Sequence, residues 1–566
     1  MMGLFTKKSI PILLLSALLS SIILMASVPP VSRDALTHHL AVPKLYVQEG
    51  AIHELPEIIP SYYPQLLDLI YCIPLIFDAD IIPKYIHFSF ALLTALLLFL
   101  YLKKNLNHFY GLAGVLFFLS LPVIIKLSVT AYVDLGLIFF STASLISLLK
   151  WQEDQFRFKW LVCSAVCCGF ALSTKYNGLI TCFLLTTFVP FIYLKKCEYR
   201  PDQKKISAQI RSLGYCISFF LITLAIFSPW MIKNYIWTQN PVYPLYNNYF
   251  NPEINTLSDD EPSEPTMNHF LIRKLIYQET LLETISIPLR IFFQGEDDDP
   301  KRFDGKLNPL LFFLPICAFL PFKRNRHADE KDGHKKILLL FSILYILIVF
   351  FQQDMRIRWI GPAIPPLVIL SAFGLKNLFE FNISIMSSAQ GKIYTSVLRT
   401  IPVLLLIFMA GLNAVYVFQL FRKIEPLSYI THKVTRSEYI EKFRSEYPVL
   451  QFANQDLAQG TKILALFLGN RRYYSDHDIS FNHSKFKSAI QNSKNSDEIF
   501  QDLKKFHYSN LIVNYPAFNS WVNASFNAEE KKRIQDFMDV NTKLLFSKNN
   551  HGLYQLLSSK DPLSRR

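Results

Sequence analysis

Just past an early apolar run the chain reads Pro29-Pro30-Val31-Ser32-Arg33-Asp34-Ala35-Leu36-Thr37-His38-His39-Leu40-Ala41-Val42-Pro43-Lys44, which brings a carboxylate and two imidazoles together. On a helical turn Asp34 and His38 share a face, a spacing suited to holding a base or to ligating a metal. The plainer reading makes Asp34 an N-cap and His38 and His39 interfacial side chains. Four further places stand out, because charges bordering apolar segments are costly to keep. Ser61-Tyr62-Tyr63-Pro64-Gln65-Leu66-Leu67-Asp68 sets aromatic rings where an interface belt would have them and adds an acid. Asp134 opens an apolar run, facing protein or water or simply favouring a helix N-terminus. Lys175 sits in the tight turn Ser173-Thr174-Lys175-Tyr176-Asn177-Gly178, and Arg356 and Arg358 in Asp354-Met355-Arg356-Ile357-Arg358-Trp359. Such cations can grip phosphate oxygens, guanidinium in bidentate fashion, with headgroup contact as the bland alternative.

The elements that must position these residues are membrane helices. Of 566 residues 51% are hydrophobic and 18% charged, with mean hydropathy +0.23, too apolar for a soluble globular chain of this length. About eleven runs approach spanning length: 10–27, 85–102, 110–125, 131–149, 160–174, 178–194, 213–232, 309–322, 337–351, 359–379 and 402–421. The first follows Lys7 and Lys8 but lacks a small-x-small cleavage site and precedes many more runs, so it reads as a retained helix. Lys103/Lys104, Lys150/Arg157/Lys159, Lys195 to Arg211 and Lys323 to Lys336 fall on alternate loops, which marks that side as cytoplasmic. Loops 28–84 and 233–308 and everything after about Arg422 then face outward, and Asp34, Asp134, Lys175 and Arg358 with them.

The net charge of +14 sits largely in those cytoplasmic loops, so topology accounts for it and nucleic acid is not an expected partner. All eight cysteines lie in or beside apolar runs, so no disulfide framework is implied. Cys163, Cys167 and Cys168 on one helix turn could bind metal, but small residues at this spacing favour close helix packing. The central loop contains an amphipathic stretch, 267–291, suited to the membrane interface and to covering a site. The division expected is a transmembrane domain over 1–430 and an external α/β domain over 431–566. In the latter, 462–468, 510–514, 542–547 and 552–557 read as strands, and 484–506 and 528–538 as helices. Leu468-Gly469-Asn470-Arg471-Arg472 has too few glycines for a phosphate-binding loop and reads as a plain turn.

Taken in order, Asp34…His39-Leu40-Ala41-Val42-Pro43-Lys44, Tyr63-Pro64, Tyr132-Val133-Asp134, Thr174-Lys175, Ser228-Pro229-Trp230…Asn234-Tyr235…Asn240-Pro241-Val242-Tyr243-Pro244 and Arg358…Pro362…Pro365 resemble the polyprenyl-phosphate-sugar-dependent glycosyltransferases of the GT-C fold. The protein O-mannosyltransferases and the lipid A aminoarabinose transferase belong to that superfamily. The resemblance covers most of the membrane region and is weaker in the tail. It implies a polytopic α-helical GT-C-like body with a small external α/β domain. It also implies an acid in the first external loop as base, Asp34, a second acid at a later helix start, Asp134, and donor-phosphate contacts at Lys175 and Arg358; beside these, Arg356 of the same basic cluster and Lys44 are read as further phosphate contacts. His38, His39, Tyr63 and Asp68 are placed on the acceptor or sugar side. Two departures matter: Asp34 is followed by Ala35 where the mannosyltransferases carry an Asp-Glu pair, and His38 stands where relatives often have tyrosine. Neither the acceptor nor metal use carries over, so a divalent metal stays open and no cofactor is assigned.

A sugar phosphodiester already has a fair leaving group, so neutralising the departing phosphate matters more than protonating it. What remains is to accept the proton of an attacking hydroxyl, a task for Asp34, with Asp134 orienting the acceptor or the developing charge. The expectation is an inverting hexosyl- or pentosyltransferase acting on a polyprenyl-phosphate donor and a glycan, lipid or protein hydroxyl among membrane lipids. Its place would be a bacterial plasma membrane, with the N-terminus cytoplasmic and the tail outside. The alternatives are a ligase or polymerase using a diphosphate-linked donor, whose arginines and histidine would lie in a large late loop, and a transporter of lipid-linked substrate. A transporter predicts mid-span charges and internal repeats, and mid-span acids are scarce here and no repeat is evident.

Overall fold

The computed structural model describes residues 9–197, 205–252, 268–320, 328–386 and 392–558. The chain forms two compact units, one of Met1–Ser27, Ile59–Tyr71 and Ile82–Pro426, the other of Val28–Ile58, Cys72–Ile81 and Leu427–Arg566.

The first unit is helical because backbone in hydrocarbon must satisfy its own polar groups. In chain order its main helices are α1 Ser9–Ala26, α2 Ile82–Asn105, α3 His108–Ser120, α4 Pro122–Ser128, α5 Asp134–Glu153, α6 Phe158–Thr174, α7 Gly178–Cys197, α8 Lys205–Thr238, α9 Leu310–Cys317, α10 Ala328–Gln352, α11 Ile364–Met386 and α12 Lys392–Ile424. Each expected apolar run falls mainly on helix, with residues 321 and 322 of the run 309–322 outside the described residues. Among the described residues seven helices are long and apolar enough to span, eight with α3 and α4 counted together, as an integral membrane protein requires. The run 110–125 is not straight: α3 and α4 meet at 67°, because Pro122 forces Leu121 into extended backbone and starts a new helix. Around 309–322 the helix α9 has eight residues, about 12 Å of rise, too short to cross by itself.

The basic ends gather on one side of this unit. Lys104 at the end of α2 pairs with Glu153 at the end of α5, His334 Nδ1 in α10 lies 3.7 Å from Glu153 Oε1, and Tyr101 OH lies 3.4 Å from His334 Nδ1. The opposite ends of α2 and α5 meet at His87 and Leu135. The central loop is not one amphipathic helix. It breaks into His269–Leu275, Leu281–Ile285 and Ile287–Arg290, with Leu281, Leu282, Ile285 and Leu289 exposed; residue 267 of the expected stretch lies outside the described residues. Buried Arg273 ties the loop down, donating to Asp354 Oδ1 at 2.9 Å and to the Lys301 carbonyl at 2.7 Å.

The second unit holds a five-stranded sheet of β1 Lys462–Leu466, β2 Asp478–Ser480, β3 Asn510–Asn514, β4 Thr542–Lys548 and β5 His551–Leu556, in the order β2-β1-β3-β5-β4. β2, β1 and β3 run parallel, and β5 and β4 join antiparallel. Alternation along the strands divides the core. Leu464, Leu466, Leu511 and Val513 face one layer with Phe486, Ile499 and Phe537, while Ile463, Ala465 and Ile512 face another with Val449 and Leu450. The expected single helix over 484–506 is two, His483–Asn492 and Ser496–Lys505, divided where the Asn495 side chain accepts the Glu498 N–H and caps a new start. The first-loop segment is part of this unit: the Arg472 and Tyr473 N–H groups both donate to the Leu36 carbonyl at 3.1 Å, and Tyr474 OH donates to the Pro30 carbonyl at 2.8 Å. Leu468–Arg472 is a turn through left-handed Gly469 and Asn470, its Arg471 paired with Glu446.

Candidate active site

Asp134 stands at the first position of α5 and is 1% exposed. Lys175, in extended backbone just after α6, turns its ammonium back so that Nζ lies 2.7 Å from Asp134 Oδ1. The turn itself depends on Gly178, where a Cβ would meet the Ala171 carbonyl at 2.6 Å; only glycine lets the start of α7 close so tightly on α6. Asp134 Oδ2 is buried with no hydrogen-bond partner among the described residues. The Arg358 guanidinium lies over the Tyr132 ring, 5.3 Å from its centroid, and acts on the Asp134 charge from a 3-10 turn, Ile357–Ala363. Asp134, Lys175 and Arg358, far apart in sequence, thus form one charged group at the end of the unit opposite its basic loops.

Two residues that hold this group were not expected. His87 Nε2 accepts the Leu135 N–H at 2.9 Å, while Nδ1 lies 3.0 and 2.9 Å from the Leu127 and Thr130 carbonyls. An acceptor at Nε2 and carbonyls at Nδ1 fix the neutral tautomer with its proton on Nδ1. Tyr71 OH donates to the Tyr132 carbonyl at 2.5 Å, on the strip that leads into Asp134. Both contacts join segments remote in sequence; His87, a titratable side chain inside the apolar run 85–102, carries the signal that marks the other sites, and Tyr71 carries none.

Arg356, expected with Arg358 among the donor-phosphate contacts, lies over the Trp359 ring at 5.1 Å, its Nη1 3.6 Å from Asp304 Oδ2. Tyr63 meets Tyr176 edge-on at 5.7 Å, next to an amide-centred cluster in which Asn234 Nδ2 donates to the Tyr62 carbonyl at 2.9 Å and to Tyr176 OH at 3.1 Å. Asp68 is buried and acts electrostatically on Lys233, whose Nζ donates to the Ser61 carbonyl at 2.8 Å. Lys233 was not singled out from the sequence, although it lies inside the quoted Ser228 to Pro244 stretch.

Asp34, His38, His39 and Lys44 belong to the second unit. The backbone after Asp34 forms one π-helical turn, Ala35–His39, and the Asp34 side chain makes no capping bond to it. Thr37 Oγ1 lies 2.8 Å from His38 Nδ1, and the His38 and His39 rings sit 4.0 Å apart. Lys44 directs its ammonium at the Tyr473 and Ser475 carbonyls, 3.0 Å each, and at Asp476 Oδ1, 2.8 Å. Three acceptors match its three donors. Among the described residues no three His, Cys, Asp or Glu side chains converge as a metal site.

Residues 85–240, which contain His87, Asp134, Lys175 and Lys233, match the model of the dolichyl-phosphate-mannose-protein mannosyltransferase family. In three dimensions the chain is similar to ArnT from Cupriavidus metallidurans crystallised with undecaprenyl phosphate, with TM-score 0.55 and 12% identity over 97% of this chain and 99% of that one. The apo form of that ArnT gives TM-score 0.55 at 12% identity, over 96% and 97% of the two chains. The apo oligosaccharyltransferase of Archaeoglobus fulgidus gives 0.51 at 11% identity, over 95% of this chain and 73% of that one. No curated protein matches the chain in sequence. The chain therefore has the GT-C fold, the membrane architecture to which the order of its motifs points.

Proposed function

We propose that this protein is a glycosyltransferase that moves one monosaccharide from a polyprenyl-phosphate donor to an acceptor hydroxyl, with inversion, at the external face of a bacterial plasma membrane. The observation that carries the reading is the buried Asp134–Lys175 pair with Arg358 beside it, inside a GT-C fold. In this reading Lys175 and Arg358 receive the donor phosphate. Asp134, bonded to Lys175, acts as a positioning residue that holds the ammonium at the head of α5. The acceptor oxygen attacks the anomeric carbon, the bond from that carbon to the phosphate oxygen breaks, and its electron pair leaves with the lipid phosphate. Two fixed cations stabilise that departing charge without reorganising. The hydroxyl proton goes to the carboxylate of Asp34. Tyr63, Asp68, His38 and His39 serve the sugar and acceptor; Lys44, held by three acceptors, is left out of phosphate binding.

The test uses purified full-length protein in lipid nanodiscs with a panel of polyprenyl-phosphate monosaccharides and mixed acceptors, reading release of polyprenyl phosphate. Wild type is expected to consume one donor, and Asp34→Asn to do so roughly 10²–10⁴-fold more slowly, the span of general-base contributions. Wild-type rates in Asp34→Asn would remove the base assignment; no donor consumed under any pairing would remove the transferase reading.

A further inference from the structure

The second unit contains a cavity of about 560 Å³ between the Ala41–Glu49 helix, the 75–80 turn and the residues around 447–454 and 473–476. Its size falls within the range of roughly 300–1,000 Å³ usual for small-ligand sites. The wall is polar and amphiphilic rather than greasy: Gln48, Gln451, Asn454, Asp78 and Asp476 alternate with Tyr447, and only Val47 and Leu75 are aliphatic.

Its two cations are already neutralised. Lys44 bonds two carbonyls and Asp476, and Arg436 pairs with Asp80, which also accepts from Tyr473 OH at 3.3 Å. Burial, and after it the Asp80 charge, holds the Tyr473 hydroxyl protonated well above its usual range, so it stays a donor to that carboxylate. A phosphate would find no unpaired cation here. What faces the opening is uncharged or acceptor-rich: the exposed Gln48 and Asp78 side chains make no hydrogen bond or ion pair among the described residues, and the Tyr447 ring is braced edge-on against Tyr474 at 5.1 Å. Asp78 is set in the left-handed region, φ 52°, a conformation Asp and Asn tolerate, which fixes the carboxylate on a tight turn.

Amides and carboxylates that accept hydroxyl protons, beside an aromatic ring that packs against C–H faces, are the chemistry that recognises a polyol. We infer that this cavity binds an uncharged glycan segment, the acceptor side of the reaction proposed above. The inference rests on the transferase reading for its purpose, though not for its geometry.

The test is saturation-transfer NMR on full-length protein in nanodiscs. The probes are neutral trisaccharides of gluco, manno and galacto configuration, chitotriose, and an uncharged Ser/Thr-rich nonapeptide, with donor consumption measured on the same preparation. At least one trisaccharide is expected to bind. In the double variant Gln48→Ala with Asp78→Asn, both changes at exposed side chains, it is expected to bind roughly tenfold more weakly, the effect of one or two lost hydrogen bonds. An unchanged thermal melt of the variant separates this from misfolding. No trisaccharide binding to wild type, equal binding to both proteins, or variant-sensitive binding of the peptide alone overturns the inference. Glycan binding without any donor consumption supports the cavity and sinks the transferase reading instead.

Discussion

Asp134 and Lys175 form an asymmetric pair, since the carboxylate is 1% exposed and the lysine side chain 20%. Removing the lysine strands a buried charge, whereas removing the acid leaves an ammonium with a route to water, and an unpaired buried ion costs about 3–5 kcal/mol. Lys175→Ala is therefore expected to lower the detergent-solubilised melting temperature more than Asp134→Asn. Equal melting of the two would show that the carboxylate is better hydrated than its burial indicates. On activity, Lys175→Ala is expected to reduce donor consumption by roughly 10²–10³-fold, the effect of deleting one preorganised charge-stabilising donor. His87 makes a different prediction. His87→Phe leaves the Leu135 N–H without its acceptor, a loss of about 1–3 kcal/mol, and His87→Gln, which keeps an acceptor, should restore part of it in the same melt. The charges at Asp134, Lys175 and Arg358 were legible in the sequence because each interrupts apolar surroundings. Their mutual pairing was not, since 41 residues separate Asp134 from Lys175 and no local rule pairs them.

Helix contacts in this protein hinge on a few residues that permit close approach. A Cβ on Gly374 of α11 would lie 1.9 Å from the Leu314 carbonyl of α9, a backbone atom with nowhere to go. At Gly361 the nearest atoms, 2.8 Å away, belong to the Ile138 side chain, which can rotate. Gly374→Ala is accordingly expected to destabilise by several kcal/mol and to reduce the monodisperse fraction on gel filtration, and Gly361→Ala to do so far less. The reverse order would mean that α9 yields more readily than the core around Ile138. At this scale the sequence showed where helices lie but not how they bend. Pro122 interrupts an apolar run whose hydropathy is continuous, so composition reads one span where the backbone makes two pieces. Likewise 484–506 has helical periodicity throughout, and the division at Asn495 comes from a cap rather than from hydrophobic pattern.

Across the whole molecule, ion clusters fasten loops to helices. Asp298 bonds Lys423 at 2.8 Å and Lys126 at 3.1 Å. Burial opposes its ionisation, but the bonds and charges of Lys423 and Lys126 outweigh burial and hold its carboxyl below the usual range. A carboxylate with a depressed folded pKa contributes stability that is fully present above its unfolded pKa and is lost as pH falls through the folded one. Wild type should thus lose melting temperature below about pH 4, and Asp298→Asn should lose less over the same interval; parallel pH profiles would exclude this cluster as a contributor. A second prediction concerns chain continuity. Because the second unit is assembled from 28–58, 72–81 and 427–566, a truncation after Pro426 removes the sheet and strips Leu36 of both donors to its carbonyl. Such a truncation is expected to express poorly and to be protease-sensitive at 28–58, whereas equal yield and resistance would show that the first loop is stable without the tail.

By itself the sequence determined the membrane character, the positions of most helices, the alternating basic loops and four of the five sheet strands, because each follows from local composition or period; the three-residue β2 is too short to carry such a pattern. It also supplied Asp34, Asp134, Lys175 and Arg358 as chemically expensive residues in telling places. Only the tertiary structure decided which of these meet. It joined Asp134 to Lys175, set His87 behind the start of α5, paired Lys44 with Asp476, and built one unit from two early segments and the tail. Those outcomes depend on how helices and strands remote in the chain pack together, and packing is a property of pairs of surfaces that no single stretch of sequence contains.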